Sequence, residues 1–170
     1  MLTSVAYWKK QGVKLSSKED LRGLICSNAE KMWRATVKSI EDGKERAFYI
    51  YQEDKNVTST PIRVGREDSI RLRRESETLR DMKDLYPEML LVGFHTHPSP
   101  SFMPSEMDKL KTVLMKEDVT CIGSVAAPEE RFVDVWCWTV DEETGDIETF
   151  DGEVDECLKK TPNGSLNIMP

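Results

Sequence analysis

The sequence predicts a single α/β (α+β) domain built on one central, mostly antiparallel sheet. Two patterns carry that expectation. Apolar residues recur at helical spacing in four stretches, and short apolar segments of strand length run between them. The 170 residues are enough for one substantial core, and no internal repeat or low-complexity linker divides them.

Each element follows from local signals. Ser17-Lys18-Glu19-Asp20 reads as a helix start leading into Leu21, Leu24 and Ile25. Ser27-Asn28-Ala29-Glu30 has the form of a second capping box. It precedes Met32, Trp33, Val37 and Ile40 on a core-facing stripe that ends near Gly43. Ala47-Phe48-Tyr49-Ile50-Tyr51 is a buried strand. Asp54-Lys55-Asn56 is a turn, and residues 57–64 form a second strand whose Pro61 asks for an edge or a bulge. A helix is expected over 76–85, stopped ahead of Pro87, and a strand over 89–97. A Pro/Ser-rich loop then runs to Pro104. The next helix begins at Ser105, with Leu110, Val113 and Leu114 on its inner face. Strands follow over 119–125 and 132–140. The second is apolar almost throughout, as a strand covered on both faces would be. Residues 142–146 read as a hairpin turn before a last strand at 147–150. The domain is drawn over 1–150, with N-terminal helices over 17–42 and a polar tail over 151–170.

Composition narrows the function classes. A net charge of −7 argues against a general nucleic-acid binder. No stretch approaches the roughly 20 apolar residues that span a bilayer, and residues 1–11 lack the apolar centre of a signal peptide. The expected location is cytoplasmic, without membrane or nucleic-acid partners. Cys26, Cys121, Cys137 and Cys157 show no CxxC spacing, which argues against a cysteine zinc site. In a reducing compartment they are expected to be free thiols.

The chemistry gathers after the strand at 89–97. The chain has two histidines, His95 and His97, one residue apart. Strand periodicity points both to one side. Ser105 and Asp108 follow at the start of a helix. Two imidazoles and one carboxylate are the ligand set of a zinc site with its fourth position open. Such a metal lowers the pKa of bound water toward about 7, which suits hydrolysis. Ser105 is placed to donate to oxygen that gains negative charge. Taken singly, an HxH pair or an SxxD helix start is an ordinary feature. Their combination at this spacing is not.

The pattern His95-x-His97-Pro98-x6-Ser105-x-x-Asp108 resembles the JAMM motif of the MPN/JAB-domain zinc metallopeptidases. The preceding Pro104 makes a Pro-Ser pair common in prokaryotic members. In element order the resemblance covers roughly residues 44–140. It implies a curved, mostly antiparallel sheet flanked by helices, one Zn2+ per chain, and a deubiquitinase-like isopeptidase activity. The implied substrate is a ubiquitin-like protein or its conjugate, cleaved after the C-terminal glycine. E1-like and E2-like proteins of the same pathway are possible partners.

The family also implies an upstream glutamate near the start of a buried strand, acting as general base and acid. Glu45 fits best, just ahead of the strand at 47–51; Glu41 and Glu53 are its competitors. Phe48 stands where the family often has a small residue. Arg63, Arg66, Arg71, Arg73 and Arg74 form a basic cluster interleaved with Glu67, Asp68, Glu75 and Glu77. That cluster is either a solvated surface or a docking face for an acidic partner. Two alternatives accompany the isopeptidase reading. One is a zinc peptidase acting on a small carrier-protein or peptide adduct. The other is a non-catalytic MPN scaffold, a class that usually lacks one or more ligands.

Overall fold

The computed structural model describes residues 15–125, 133–150 and Cys157. Helix α1 spans Leu15–Ser27 and helix α2 Ala29–Asp42. The expected capping box between them does not form. The Ser27 hydroxyl bonds back to the Leu24 carbonyl at 3.0 Å, and Asn28 sits at the N-cap without a side-chain cap bond. A serine that finds a carbonyl in its own helix is not free to cap the next one. The C-terminal signal holds: Gly43 is left-handed at φ 71°, and its N–H bonds the Ser39 carbonyl. The buried face of α2 is Ala29, Met32, Ala35, Thr36 and Ser39, while Trp33, Val37 and Ile40 are half-buried. Two polar residues thus sit where an apolar stripe was expected. Both are hydrogen-bonded, Thr36 to the Met32 carbonyl and Ser39 to Thr96.

Strand β1 (Arg46–Glu53) pairs antiparallel with β2 (Asn56–Ser59) and β3 (Arg63–Val64). The single strand expected over 57–64 is therefore two, interrupted around Pro61, which has no N–H to give a ladder. Helix α3 covers Ser69–Leu85, seven residues longer at its start than the sequence suggested. Its first two turns carry three arginines around Leu72, and the neighbouring Ile70 is exposed, so apolar periodicity is weak there.

Strand β4 (Leu90–Thr96), helix α4 (Glu106–Met115) and strand β5 (Val119–Val125) form a crossover, with β4 and β5 parallel. Strands β6 (Val133–Val140) and β7 (Ile147–Thr149) complete the sheet antiparallel. The strand order is β2-β1-β4-β5-β6-β7, with β3 also paired to β1. The sheet is open and all its other pairings are antiparallel. This is the expected α+β architecture. Among the described residues no helix is long and apolar enough to cross a membrane.

Two packed layers hold the sheet. Leu21, Leu24, Ile25 and Met32 of α1 and α2 cover Phe48, Phe94, Val119 and Val135. On the other face Leu79 and Met115, from α3 and α4, pack on Tyr49 and Leu91. Of the expected inner face of α4 only Val113 is half-buried; Leu110 and Leu114 are exposed, while Thr112 and Met115 are buried. The rotation that turns Asp108 toward the sheet carries Thr112 and Met115, one and two turns on, to the same face. Strand β6 is also not covered throughout; Trp136 is 39% exposed and stacks on Phe102 at 5.4 Å.

The free-thiol expectation is corrected as well. Cys121 and Cys137 are directly opposed in the β5–β6 register, with Cα atoms 4.0 Å apart, and form a disulfide. Cys26 and Cys157 are joined across 131 residues. Residues near in space but remote in sequence leave no spacing signature. Apart from Cys157, the tail over 151–170 lies outside the described residues, as do the N-terminal residues 1–14.

Candidate metal centre

Strand β4 alternates. Val92, Phe94 and Thr96 face the core under α1 and α2, and Leu91, Gly93 and His95 face α3 and α4. His97 follows the last strand residue and keeps the same direction. Its N–H donates to the Gly123 carbonyl at 2.9 Å. Its carbonyl accepts from the buried Ser124 hydroxyl at 3.0 Å, and Ser124 Oγ in turn accepts the Ser101 N–H at 3.1 Å. The loop after the histidines is therefore tied to β5. The Trp138 indole N–H donates to the Phe102 carbonyl at 2.9 Å and ties it to β6 too.

Asp108 comes from the first turn of α4. The Ser105 hydroxyl accepts the Asp108 N–H at 3.0 Å, and Asp108 Oδ2 accepts the Ser105 N–H at 2.9 Å. This is a complete capping box. The same Oδ2 reaches the histidines. His95 Nε2 and His97 Nε2 are 3.1 Å apart, and Oδ2 lies 3.2 Å from the first and 3.1 Å from the second.

These distances test whether the residues fit a metal. Tetrahedral ligands at about 2.0–2.1 Å from zinc lie about 3.3–3.4 Å from one another. The triangle here is within a few tenths of an ångström of that on every side. Three basic atoms this close repel one another unless a proton or a cation sits among them. His97 Nδ1 lies 3.0 Å from the Ser101 carbonyl. That bond requires the proton on Nδ1 and leaves Nε2 as the electron-pair donor. Among the described residues, His95, His97 and Asp108 group at metal-ligand spacing.

The electrostatics agree. Burial holds His95 below the ordinary histidine range, against the pull of Asp108. The hydrogen bond to Asp108 raises His97, against the effect of burial. Burial would push Asp108 up, but its bonds with both histidines and with the Ser105 N–H outweigh that and hold it well below the usual carboxylate range.

Glu45 is placed by register. Strand β1 pairs Ala47 with His95. That pair ends the ladder; Glu45 lies two residues ahead of Ala47, as His97 lies two residues beyond His95. It is exposed, and its charge is near enough to favour protonated His97. Its carbonyl accepts the Gly65 N–H at 2.8 Å, which fixes the backbone just ahead of β1. Of its competitors, Glu41 lies in the last turn of α2 and Glu53 at the far end of β1. Ser105 is exposed beside the triad, and its hydroxyl proton is not consumed by the bond it accepts from Asp108.

The structure adds residues that sequence reasoning missed. Gly93 stands two positions before His95 on the same face. A Cβ there would meet Glu117 Oε1 at 1.8 Å. Glu117 is half-buried as a residue, and burial pushes its carboxyl up to about 7 despite the opposing Lys111 charge. Tyr49, opposite Gly93, pairs its hydroxyl with Ser76 at 2.7 Å and lies under Lys111 Nζ, 5.4 Å from the ring centroid. The one available signal was a glycine inside a strand, which often marks a close approach by another group. Of the arginine cluster, Arg63 pairs with Glu75 and Arg71 reaches Asp68 at 3.9 Å. Arg66, Arg73 and Arg74 are exposed.

No protein-family model matches this chain, and no curated protein matches it either. The site is thus defined by its own geometry: a half-buried His-His-Asp centre at the end of a parallel strand pair.

Proposed function

We propose that the chain is a zinc-dependent isopeptidase or peptidase that hydrolyses the bond after the C-terminal glycine of a ubiquitin-like protein. The observation that carries the hydrolase part is the near-equilateral His95–His97–Asp108 triangle, with the Glu45 charge near enough to act on His97. The glycine-terminated substrate is supported by the resemblance of the HxHP…SxxD pattern to the JAMM peptidases.

Zinc in the triad would supply Lewis acidity and make attack by water feasible near neutral pH. The residues divide the remaining work. His95, His97 and Asp108 hold the cation, and the His97–Ser101 bond keeps the imidazole in its ligating tautomer. Glu45 takes a proton from the attacking water and returns it to the departing amine as the C–N bond breaks, leaving a carboxylate on one product. The Ser105 hydroxyl donates to the carbonyl oxygen as it gains negative charge. All three ligand positions are intact, which disfavours a purely scaffolding role.

The test is zinc content together with cleavage. Wild type should hold about one zinc per chain and cleave a ubiquitin-like protein carrying a C-terminal extension after its glycine. His97→Ala should lose both, and Glu45→Ala should keep zinc and lose cleavage. Wild-type protein free of zinc after reconstitution would overturn the reading, as would undiminished cleavage by both variants.

A further inference from the structure

Behind the triad lies a second charged layer that the proposed reaction does not use. Its site is defined by a missing side chain. Gly93 is fully paired, to Tyr49 on one side and Thr120 on the other. Glycine in such a position costs roughly 0.5–1 kcal/mol relative to alanine, so an occupant of the space it leaves needs a reason. The occupant is the Glu117 carboxyl group. Glu117 follows the C-cap of α4, and its N–H bonds the Thr112 carbonyl at 3.0 Å, so helix and carboxylate are set together.

Lys111 is the cation of this layer. It lies one turn after Asp108 on α4, over the Tyr49 ring. It is near enough to His95 to disfavour a second positive charge there, and it interacts favourably with both Asp108 and Glu117. Burying a lysine and a glutamate seldom adds stability over apolar residues of the same size. Buried charges beside a candidate site are instead a mark of function.

We infer that Glu117 and Lys111 form a compensated charge pair beneath the triad that sets its affinity for a divalent cation, with Gly93 as the residue that admits the pair. The inference rests on the cation-site reading above. Lys111 alone would repel a dication at His95 and Asp108. Glu117 offsets that repulsion and adds its own attraction. Neither residue is a ligand; both are positioning residues acting through the field at the site.

The experiment is a zinc titration against a chromophoric chelator at about pH 8, where Glu117 is ionised. It compares wild type, Glu117→Gln, Lys111→Met and the double variant, each checked for folding by circular dichroism. Glu117→Gln should weaken zinc by about tenfold or more. Lys111→Met should tighten it, and the double variant should return to within a few-fold of wild type. Gly93→Ala, which displaces the carboxyl group without removing it, should weaken zinc as Glu117→Gln does. A merely structural pair would show no restoration in the double variant. Zinc bound by wild type and equally by Glu117→Gln overturns this inference and leaves the hydrolase reading standing. No zinc bound by wild type overturns both.

Discussion

Ser105 and Asp108 cap each other: the serine hydroxyl accepts the Asp108 N–H at 3.0 Å and the Asp108 carboxylate accepts the Ser105 N–H at 2.9 Å. The carboxylate oxygen in that bond is the one that faces both histidines. Starting helix α4 and aiming the Asp108 carboxylate at the two histidines are therefore a single structural event. Ser105→Ala should cost about 1 kcal/mol, the usual value of an N-cap. It should also weaken zinc, because Asp108 loses one of the bonds that orient it. Ser105→Thr, which caps nearly as well, should preserve both. Urea denaturation of the metal-free protein and a zinc titration separate the two effects. An alanine variant with unchanged zinc affinity would show that the cap does not orient the ligand.

The floor of the site depends on a second glycine. Gly123 accepts the His97 N–H through its carbonyl. A Cβ at Gly123 would meet Thr36 Oγ1 at 1.9 Å and the Phe94 ring at 3.2 Å. Thr36 cannot turn away freely, since its hydroxyl is bonded to the Met32 carbonyl inside α2. Gly123→Ala should destabilise by about 1–3 kcal/mol, in the range of overpacked cores. Adding Thr36→Ala should recover part of that loss, giving a double variant less destabilised than the sum of the singles. Strict additivity in thermal or urea unfolding would mean the clash is relieved elsewhere.

How much of this could be read from the sequence differs by element. The ligand strand was legible because apolar residues and two histidines obey its two-residue period. The cap of α4 was legible because Ser105-x-x-Asp108 is a local signal. The inner face of α4 was not. Leu110 and Leu114 suggested it, yet Asp108 fixes the helix rotation and leaves both leucines in solvent. The start of helix α3 was not legible because arginines surround Leu72, the inward-facing apolar residue of its first two turns. Glu45 was named through the family resemblance, and its closeness to His97 depends on the β1–β4 pairing, which sequence alone does not contain. Glu117 is set against Gly93 by a parallel crossover, and both cysteine pairs join separated segments. Long-range contacts of this kind leave no local pattern.

One buried ion pair anchors the crossover. Lys83 Nζ lies 2.9 Å from Asp118 Oδ2 and also donates to the Met89 carbonyl. The same oxygen of Asp118 accepts the Leu91 N–H at 2.8 Å, at the start of the ligand strand. Burial pushes Asp118 up, and Lys83 opposes it. Lys83→Met removes that opposition and leaves a buried carboxylate without its cation. The expected cost near neutral pH is about 3–5 kcal/mol. It should shrink in mildly acidic buffer, where the variant's Asp118 takes up a proton and the uncompensated charge disappears. Urea unfolding at the two pH values measures it. An equal cost at both would assign the loss to packing rather than charge.

Glu117 gives the sharpest pH signature. Its carboxyl is raised from an unfolded value of 4.5 to about 7. The folded chain therefore holds this proton more tightly than the unfolded chain does. Below about pH 4.5 both states are protonated, and the group is neutral toward stability. As pH rises from there the unfolded state ionises first, so stability falls until the folded carboxyl also ionises near pH 7, and is level above that. At about 1.36 kcal/mol per pKa unit the total is as much as about 3 kcal/mol. Glu117→Gln keeps the shape and removes the titration. The metal-free variant should match wild type at about pH 4.5 and exceed its stability by an increasing margin up to about pH 8. Zinc should reverse the order, because a dication nearby favours the ionised carboxyl that the variant lacks. A carboxylate that weakens the empty fold and strengthens the loaded one is retained for the cation. Thermal unfolding of both proteins across that range, with and without zinc, decides it. If the metal-free wild type is as stable as Glu117→Gln at about pH 8, Glu117 does not ionise against the fold, and the charge pair beneath the triad loses its basis.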